Sequence, residues 1–367
     1  MTAEQQGTVR NPLALLCTLG PSSLNERVIS QLEGIGATLF RINMSHTEVD
    51  DLDRILRFVR KCTKVPISID TEGARLRTGL MSDGVSVREG AKVRLVPRAF
   101  WGDAYTIPIT PGHAIGQLEP GSFVSIDFDA VVLRIDEVVD GTAEASVQSG
   151  GEIGSRKAVT AFPSPELPTF SDKDRRAIAV ALQNQVHEFA LSFCEHPDAV
   201  VQLREMIGSS NTIVAKIESR DGVRNLEGIL ESTDRILIDR GDLSREVRLE
   251  AIPLLQKAII RRANARGVPV YVATNLLESM ITRRVPTRAE VNDVINTLLD
   301  GADGLVLAAE TAIGKYPVEA ARMISALMEE YGRSRDGYHL EDLLGSHPLA
   351  GARPPEPSTG GAGDRPG

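Results

Sequence analysis

Cysteine is scarce in this chain: three residues, Cys17, Cys62 and Cys194, among 367. They are odd in number, far apart and in no CxxC pattern. That excludes a disulfide framework and a cysteine-based zinc site, and it predicts buried free thiols in a reducing compartment. Long apolar runs are missing as well. No segment approaches the roughly 18 apolar residues of a membrane span. The opening stretch, MTAEQQGTVRNPLALL, has too short an apolar core for a secretory leader. Both absences predict a cytoplasmic protein without a membrane partner. An excess of positive charge is lacking too, the formal net charge being -9. A general nucleic-acid or membrane-surface binder needs a basic face and is excluded. Small anions are not excluded, because a few Arg and Lys gathered in one place hold a phosphate on an acidic protein.

What is present is a rhythm. Hydrophobic residues make up 42% of the chain, and short apolar runs alternate with amphipathic stretches, the pattern of a parallel α/β fold. Strands are predicted at 13–17, 38–42, 66–69, 189–193, 212–217, 235–238, 268–272 and 304–307. Helical periodicity falls at 25–34, 52–61, 174–185, 199–207, 252–266 and 289–299. Eight such units favour a closed (β/α)8 TIM barrel over an open sheet, and a barrel takes roughly 250 residues. Between 80 and 158 the helical period vanishes. VSVREGAKVRLVP and GSFVSIDFDAVVLRIDEVVDGTAEASV alternate β-formers with Gly and Pro turns, as expected of a small β-domain inserted after the third strand. The barrel resumes near Phe170-Ser171-Asp172, with Ser171 as a helix N-cap. The expected division is therefore barrel at 1–79, inserted β-domain at 80–158, barrel at 159–332, and a tail at 333–367. ARPPEPSTGGAGDRPG in that tail is too poor in apolar residues to order itself.

In a barrel, function collects at the C-terminal ends of the strands. Read in order, those ends carry CTLGPSS from Cys17, RINMSHT from Arg41, DTEGARLRTG from Asp70, AKIES from Ala215, DRGDLS from Asp239, ATNLLESM from Ala273 and AAETA from Ala308, with PTRAE from Pro286. Polar and charged residues recur on one face.

These segments resemble the pyruvate kinase family, whose patterns run CTIGPSS, RLNFSHG, DTKGPEIRTG, SKIEN, ARGDLG, ATQMLESM, PTRAE and GETA. The match spans about 13 to 330, in order and with compatible spacing. The resemblance implies phosphoryl transfer between phosphoenolpyruvate and ADP, assisted by Mg²⁺ or Mn²⁺. Glu218 and Asp242, from adjacent strand ends, would hold that metal, since Mg²⁺ prefers hard oxygen ligands. Lys216 lies two residues before Glu218, so both side chains leave the strand on one side. Its charge would neutralise the transferring phosphoryl group and stabilise an enolate. Arg41 would clamp phosphate. Gly241 and Asp242, through backbone N–H groups, and Thr274, through its hydroxyl, would hold the substrate carboxylate, with Thr274 near the carbon to be protonated. Asn43, His46 and Arg77 match positions near the nucleotide phosphates. Arg156 and Lys157 match the stretch by which the inserted domain closes on them.

Departures shape the expectations. In potassium-dependent members a monovalent cation sits beside the Glu of GPEIR, among residues matching Asn43, Ser45, Asp70 and Thr71. Here Arg75 replaces that Glu. Members with Lys there need no potassium, so this chain is expected to need none. Ala308 and Ala309 replace the Ser and Gly of LSGETA, which puts the usual proton relay to the enolpyruvate carbon in question. Asp51, Glu72, Ser244 and Asn275 also differ from the pattern. Members usually continue into an α/β domain carrying an effector site, so activation through that site is not expected, and a homodimer through the barrel helices is. Two other readings stay open: a metal-dependent barrel turned to another 2-oxo or enol acid, by enolisation, a carbon–carbon bond step or a different phosphoryl acceptor, or a non-catalytic homologue.

Overall fold

The computed structural model describes residues 12–73, 75–97, 101–127, 129–333 and 344. The expected tail therefore lies outside the described residues, Arg333 and Leu344 apart. Eight parallel strands close into a barrel: β1 (Ala14–Thr18), β2 (Leu39–Asn43), β3 (Ile67–Asp70), β4 (Glu188–Leu191), β5 (Thr212–Ile217), β6 (Arg235–Asp239), β7 (Val270–Ala273) and β8 (Gly304–Leu307). Each neighbours its sequence successor, and β8 returns to β1. Helices wrap the outside, among them α1 (Glu26–Ile35), α2 (Val49–Cys62), α3 (Asp172–Gln183), α4 (Pro197–Ile207), α5 (Leu226–Ser232), α6 (Ile252–Ala265), α7 (Arg288–Leu299) and α8 (Pro317–Arg333). None of the described helices is long and apolar enough to cross a membrane.

Strand alternation explains the two cores. Successive side chains point to opposite faces, so Leu15 and Cys17 pack outward against helices while Leu16 points into the barrel. The inward set, Leu16, Leu39, Ala190, Val214, Leu237 and Val306, fills the lower barrel. The outward set joins α1 to α8 in one large core. Local signals fix the helix starts. Ser171 caps α3 as expected, in a reciprocal box with Asp174. Thr287 and Glu290 do the same for α7. A spare oxygen of Asp174 also accepts the Glu72 N–H at 2.7 Å, which pins the loop after β3 to α3.

The insertion forms a seven-stranded sheet with its own core, built on Val93, Ile107, Val124, Leu133 and Ala145. Its order is Val159–Phe162, Phe123–Ile126, Val131–Val139, Thr142–Ser149, Lys92–Val96, Thr106–Thr110, Arg77–Thr78. Two expectations need correction. Strand β4 stops at Leu191, two residues before the expected end, because the backbone turns at Phe193 with φ 51°. Of the three thiols, only Cys17 and Cys194 are buried; Cys62 is half-buried on α2.

Candidate active site

The alternation that fills the lower barrel with apolar groups places charge above them. Two residues beyond Leu39, Val214 and Leu237, on the same inward face, stand Arg41, Lys216 and Asp239. Asp70 and Ser192 follow Ser68 and Ala190 in the same way. The charged members are all buried: Arg41 is 4%, Asp70 0%, Lys216 4%, Glu218 1% and Asp239 7% exposed.

Lys216 is the hub. Its Nζ lies 3.0 Å from Glu218 Oε2, 3.4 Å from Asp70 Oδ2 and 3.5 Å from Asp239 Oδ2. It donates to Ser192 Oγ at 3.2 Å. Burial alone would lower its pKa, but Asp70, Glu218 and Asp239 outweigh it and raise the ammonium well above its ordinary value. Arg41 Nη2 lies 3.3 Å from Asp70 Oδ2. The other guanidinium donors, Nε and Nη1, are buried and without a partner. A buried donor left unmade is costly, so these two nitrogens mark a place for an anion.

The acidic side of the cluster fits a divalent cation. One carboxylate oxygen from each of Glu218, Asp239 and Asp242 lies within 4.8 Å of the other two. Oxygens around a hard cation at about 2.1 Å sit about 3–4 Å apart, so modest closure completes the set. Glu218 Oε1 accepts the Phe193 N–H at 2.6 Å. Its Oε2 is buried and receives no hydrogen bond, Lys216 approaching outside hydrogen-bonding angles. Burial, with Asp242, Asp239 and Asp70 adding to it against Lys216, pushes the Glu218 carboxyl up to about 8. Burial and then Asp239 raise Asp242. Burial opposes the charge of Asp239, but Lys216 and the Thr274 hydroxyl hold its carboxyl below the usual range. Three hard oxygen donors suit Mg²⁺ or Mn²⁺ and suit no soft metal.

Thr274 donates to Asp239 Oδ1 at 2.6 Å. It and Asn275 adopt φ of 74° and 57°, a region non-glycine residues rarely occupy. Gly241 lies in a one-turn helix, Arg240–Leu243. Any Cβ there would come within 2.7 Å of Thr274 Cγ2, so glycine lets the Thr274 methyl pack against this backbone.

A cavity of about 220 Å³ opens over this cluster. Arg41, Asn43, Ser45, His46, Arg75 and Arg77 line it, with Lys216, Asp239 and Asp242 below and Ala158 to Thr160 of the inserted sheet above. Burial, then the neighbouring Arg77, lowers the pKa of His46, which favours the neutral ring at pH 7. Arg77 pairs with Glu72 at 3.3 Å. Arg156 and Lys157 do not line the cavity: Arg156 pairs with Glu48 at 3.4 Å and Lys157 with Asp127 at 2.7 Å.

Of the residues matched to a monovalent-cation site, Asn43, Asp70 and Thr71 already have side-chain partners. Asn43 Oδ1 accepts the Ser45 N–H at 2.9 Å. Thr71 Oγ1 donates to the Ala190 carbonyl at 3.3 Å and accepts the Ser192 N–H at 3.0 Å. Asp70 is held by Arg41, Lys216 and Ser192. Arg75 stacks on Phe193, 3.9 Å from the ring centroid, and pairs with Glu195 at 2.5 Å and Glu246 at 3.9 Å. Among the departures, Asp51 lies on α2 and pairs with Arg54 at 2.8 Å. The Ala308 N–H donates to Glu310 Oε2 at 2.9 Å.

Ser192, which bonds Lys216 and Asp70, escaped the sequence reading, and so did two other contributors. Asp239 is one; its signal was the inward alternation from Leu237 and the Asp of DRGDLS against the Ala of ARGDLG. The Phe193 N–H is the other, and as a backbone donor in a left-handed turn it had no side-chain signature.

Comparison with known proteins follows the same lines. The family described as pyruvate kinase, barrel domain, matches residues 11–321. A pyruvate kinase of Thermotoga maritima is 34% identical over 86% of this chain and 70% of its own length. One from Methylorubrum extorquens is 36% identical over 87% of this chain and 68% of its own. Among solved structures, a pyruvate kinase from Cryptosporidium parvum superposes with a TM-score of 0.79 at 31% identity, covering 88% of this chain and 70% of the other.

Proposed function

The chain belongs to the pyruvate kinase family and is a pyruvate kinase-like phosphotransferase; from that premise we propose that its barrel cavity transfers the phosphoryl group of phosphoenolpyruvate to ADP. One observation carries the assignment of residues. The unpartnered Nε and Nη1 of Arg41 belong to one cluster with Glu218, whose Oε2 meets the Lys216 ammonium at 3.0 Å, bridged by Asp70 and Lys216. The barrel rim thus offers an anion unmet donors beside a group of buried carboxylates.

Glu218 and Asp242 would hold a divalent cation, Mg²⁺ or Mn²⁺, which when bound supplies Lewis-acid charge against the phosphoryl and enolate oxygens. Arg41 binds the phosphoryl oxygens through its two free donors. Lys216 neutralises the charge that spreads over them as the bond from the enol oxygen to phosphorus breaks and a bond from the ADP β-phosphate forms. The backbone N–H groups of Gly241 and Asp242 receive the substrate carboxylate. Thr274 exchanges its bond to Asp239 for that carboxylate and stands beside the carbon that takes up a proton as pyruvate forms. Ala308 has no hydroxyl to share in that step. Asn43, His46 and Arg77 face the nucleotide phosphates across the cavity, and Arg156 and Lys157 reach them only by leaving Glu48 and Asp127. A homodimer through the barrel helices is supported by Leu254 and Leu299, which stand exposed on α6 and α7.

Potassium is not needed on this reading. Asn43 Oδ1, Asp70 and Thr71 Oγ1 are engaged by protein groups, and the Arg75 guanidinium brings a fixed positive charge to the cavity wall. Pyruvate formation from phosphoenolpyruvate and ADP, measured with Mn²⁺ in a tetramethylammonium buffer free of K⁺ and Na⁺, is expected to proceed at full rate and to stay level on adding KCl. A many-fold rise with KCl would contradict the potassium reading. No ADP-dependent pyruvate at any salt would contradict the proposed substrates.

A further inference from the structure

We propose that Asp239 is a third carboxylate ligand of the divalent cation and tightens the hold of the substrate-free protein on it. The inference rests on the reading of Glu218 and Asp242 as metal ligands.

The geometry is independent of the family pattern, which has Ala at this place. Asp239 ends β6 and points inward, two residues beyond Leu237 on the same face. Its Oδ1 is fixed by the Thr274 hydroxyl at 2.6 Å. The side chain is therefore turned toward Glu218 and Asp242, with one oxygen of each of the three inside a 4.8 Å circle. Glu218 Oε2, in a residue only 1% exposed, receives no hydrogen bond. Its contact there is the Lys216 ammonium at 3.0 Å, an ion pair rather than a hydrogen bond.

The consequence follows from ligand counting. Mg²⁺ is commonly held by one or two carboxylates, the rest of its shell being water and substrate phosphate. A two-carboxylate site binds weakly until the phosphate completes it. A third carboxylate adds a charge and a donor already in place, and affinity rises with ligand charge and site rigidity. Asp239 thus tightens metal capture by the substrate-free protein. The competing account gives Asp239 a structural role only, as the acceptor that orients Thr274.

Titration of the full chain with Mn²⁺ alone, with no phosphoenolpyruvate or nucleotide, separates the two. Free Mn²⁺ is read by electron paramagnetic resonance. Asp239→Asn keeps the shape and an acceptor for Thr274 but loses the charge; Asp239→Ala restores the family residue. Both are expected to raise the Mn²⁺ Kd at least about tenfold, the scale on which a removed ligand or its support acts. Should Asp239→Ala fail to fold, Asp239→Asn decides alone. An unchanged Kd in Asp239→Asn, beside a weakened Glu218→Gln, would overturn the third-ligand proposal and leave the two-ligand site standing. An unchanged Kd in Glu218→Gln and Asp242→Asn as well would overturn the metal reading itself.

Discussion

Lys216→Met is expected to lower kcat for phosphoryl transfer at least about 10³-fold, about 4 kcal/mol of barrier at roughly 1.4 kcal/mol per decade. The ammonium touches Asp70, Glu218, Asp239 and Ser192 and is the one lysine lining the cavity among the described residues. Its charge does most when charge leaves the enol oxygen and spreads over the phosphoryl group, so kcat should fall far more than the KM for phosphoenolpyruvate rises. The carboxylates it leaves behind carry less compensation. Some loss of thermal stability is expected, since a buried ion pair deprived of one partner is destabilised. Mn²⁺ binding should persist or tighten, because no ligand is removed and a competing cation is. Steady-state rates, a melting curve and the Mn²⁺ titration on one preparation check all three. A variant with kcat within a few-fold of wild type would remove Lys216 from the chemistry.

Arg41→Gln is expected to cut kcat/KM for phosphoenolpyruvate about 10²- to 10³-fold, with much of the loss in KM. Truncating one side of a buried charged contact costs about 2–5 kcal/mol, and two of the guanidinium donors are reserved for the ligand. Asp70 keeps Lys216 and Ser192 after the substitution, so the fold should tolerate it better than the loss of Lys216. Inorganic phosphate, as a competitive inhibitor, should weaken in parallel. An Arg41→Gln enzyme with unaltered KM for phosphoenolpyruvate and unaltered phosphate inhibition would place the phosphoryl group elsewhere.

Much of this was legible in the sequence because a strand has a period of two. The eight apolar runs fell on the eight barrel strands, shifted by a residue or two at most ends. The spacing from Lys216 to Glu218 put both side chains on one face, and they meet at 3.0 Å. Asp239 obeys the same period from Leu237, yet comparison of motifs reads matches, and a gained carboxylate does not appear among them. What stayed hidden depends on contacts far apart in the chain. Asp70 read as a monovalent-cation ligand, but its place between Arg41 and Lys216 needs three strands to close. Arg75 read as the replacement for a cation-site Glu, but its pairing with Glu195, 120 residues on, needs the fold. Arg156 and Lys157 matched a closing segment, but which way a turn of the inserted sheet faces is decided by partners such as Glu48 and Asp127.

The most direct test is a crystal structure with Mn²⁺ and phosphoenolpyruvate, located by the anomalous scattering of manganese. The account predicts a manganese peak bonded to Glu218 and Asp242, with the phosphoryl group of the same ligand against Arg41 and Lys216. Manganese bound away from both carboxylates, or a phosphoryl group out of reach of Arg41 and Lys216, would contradict it.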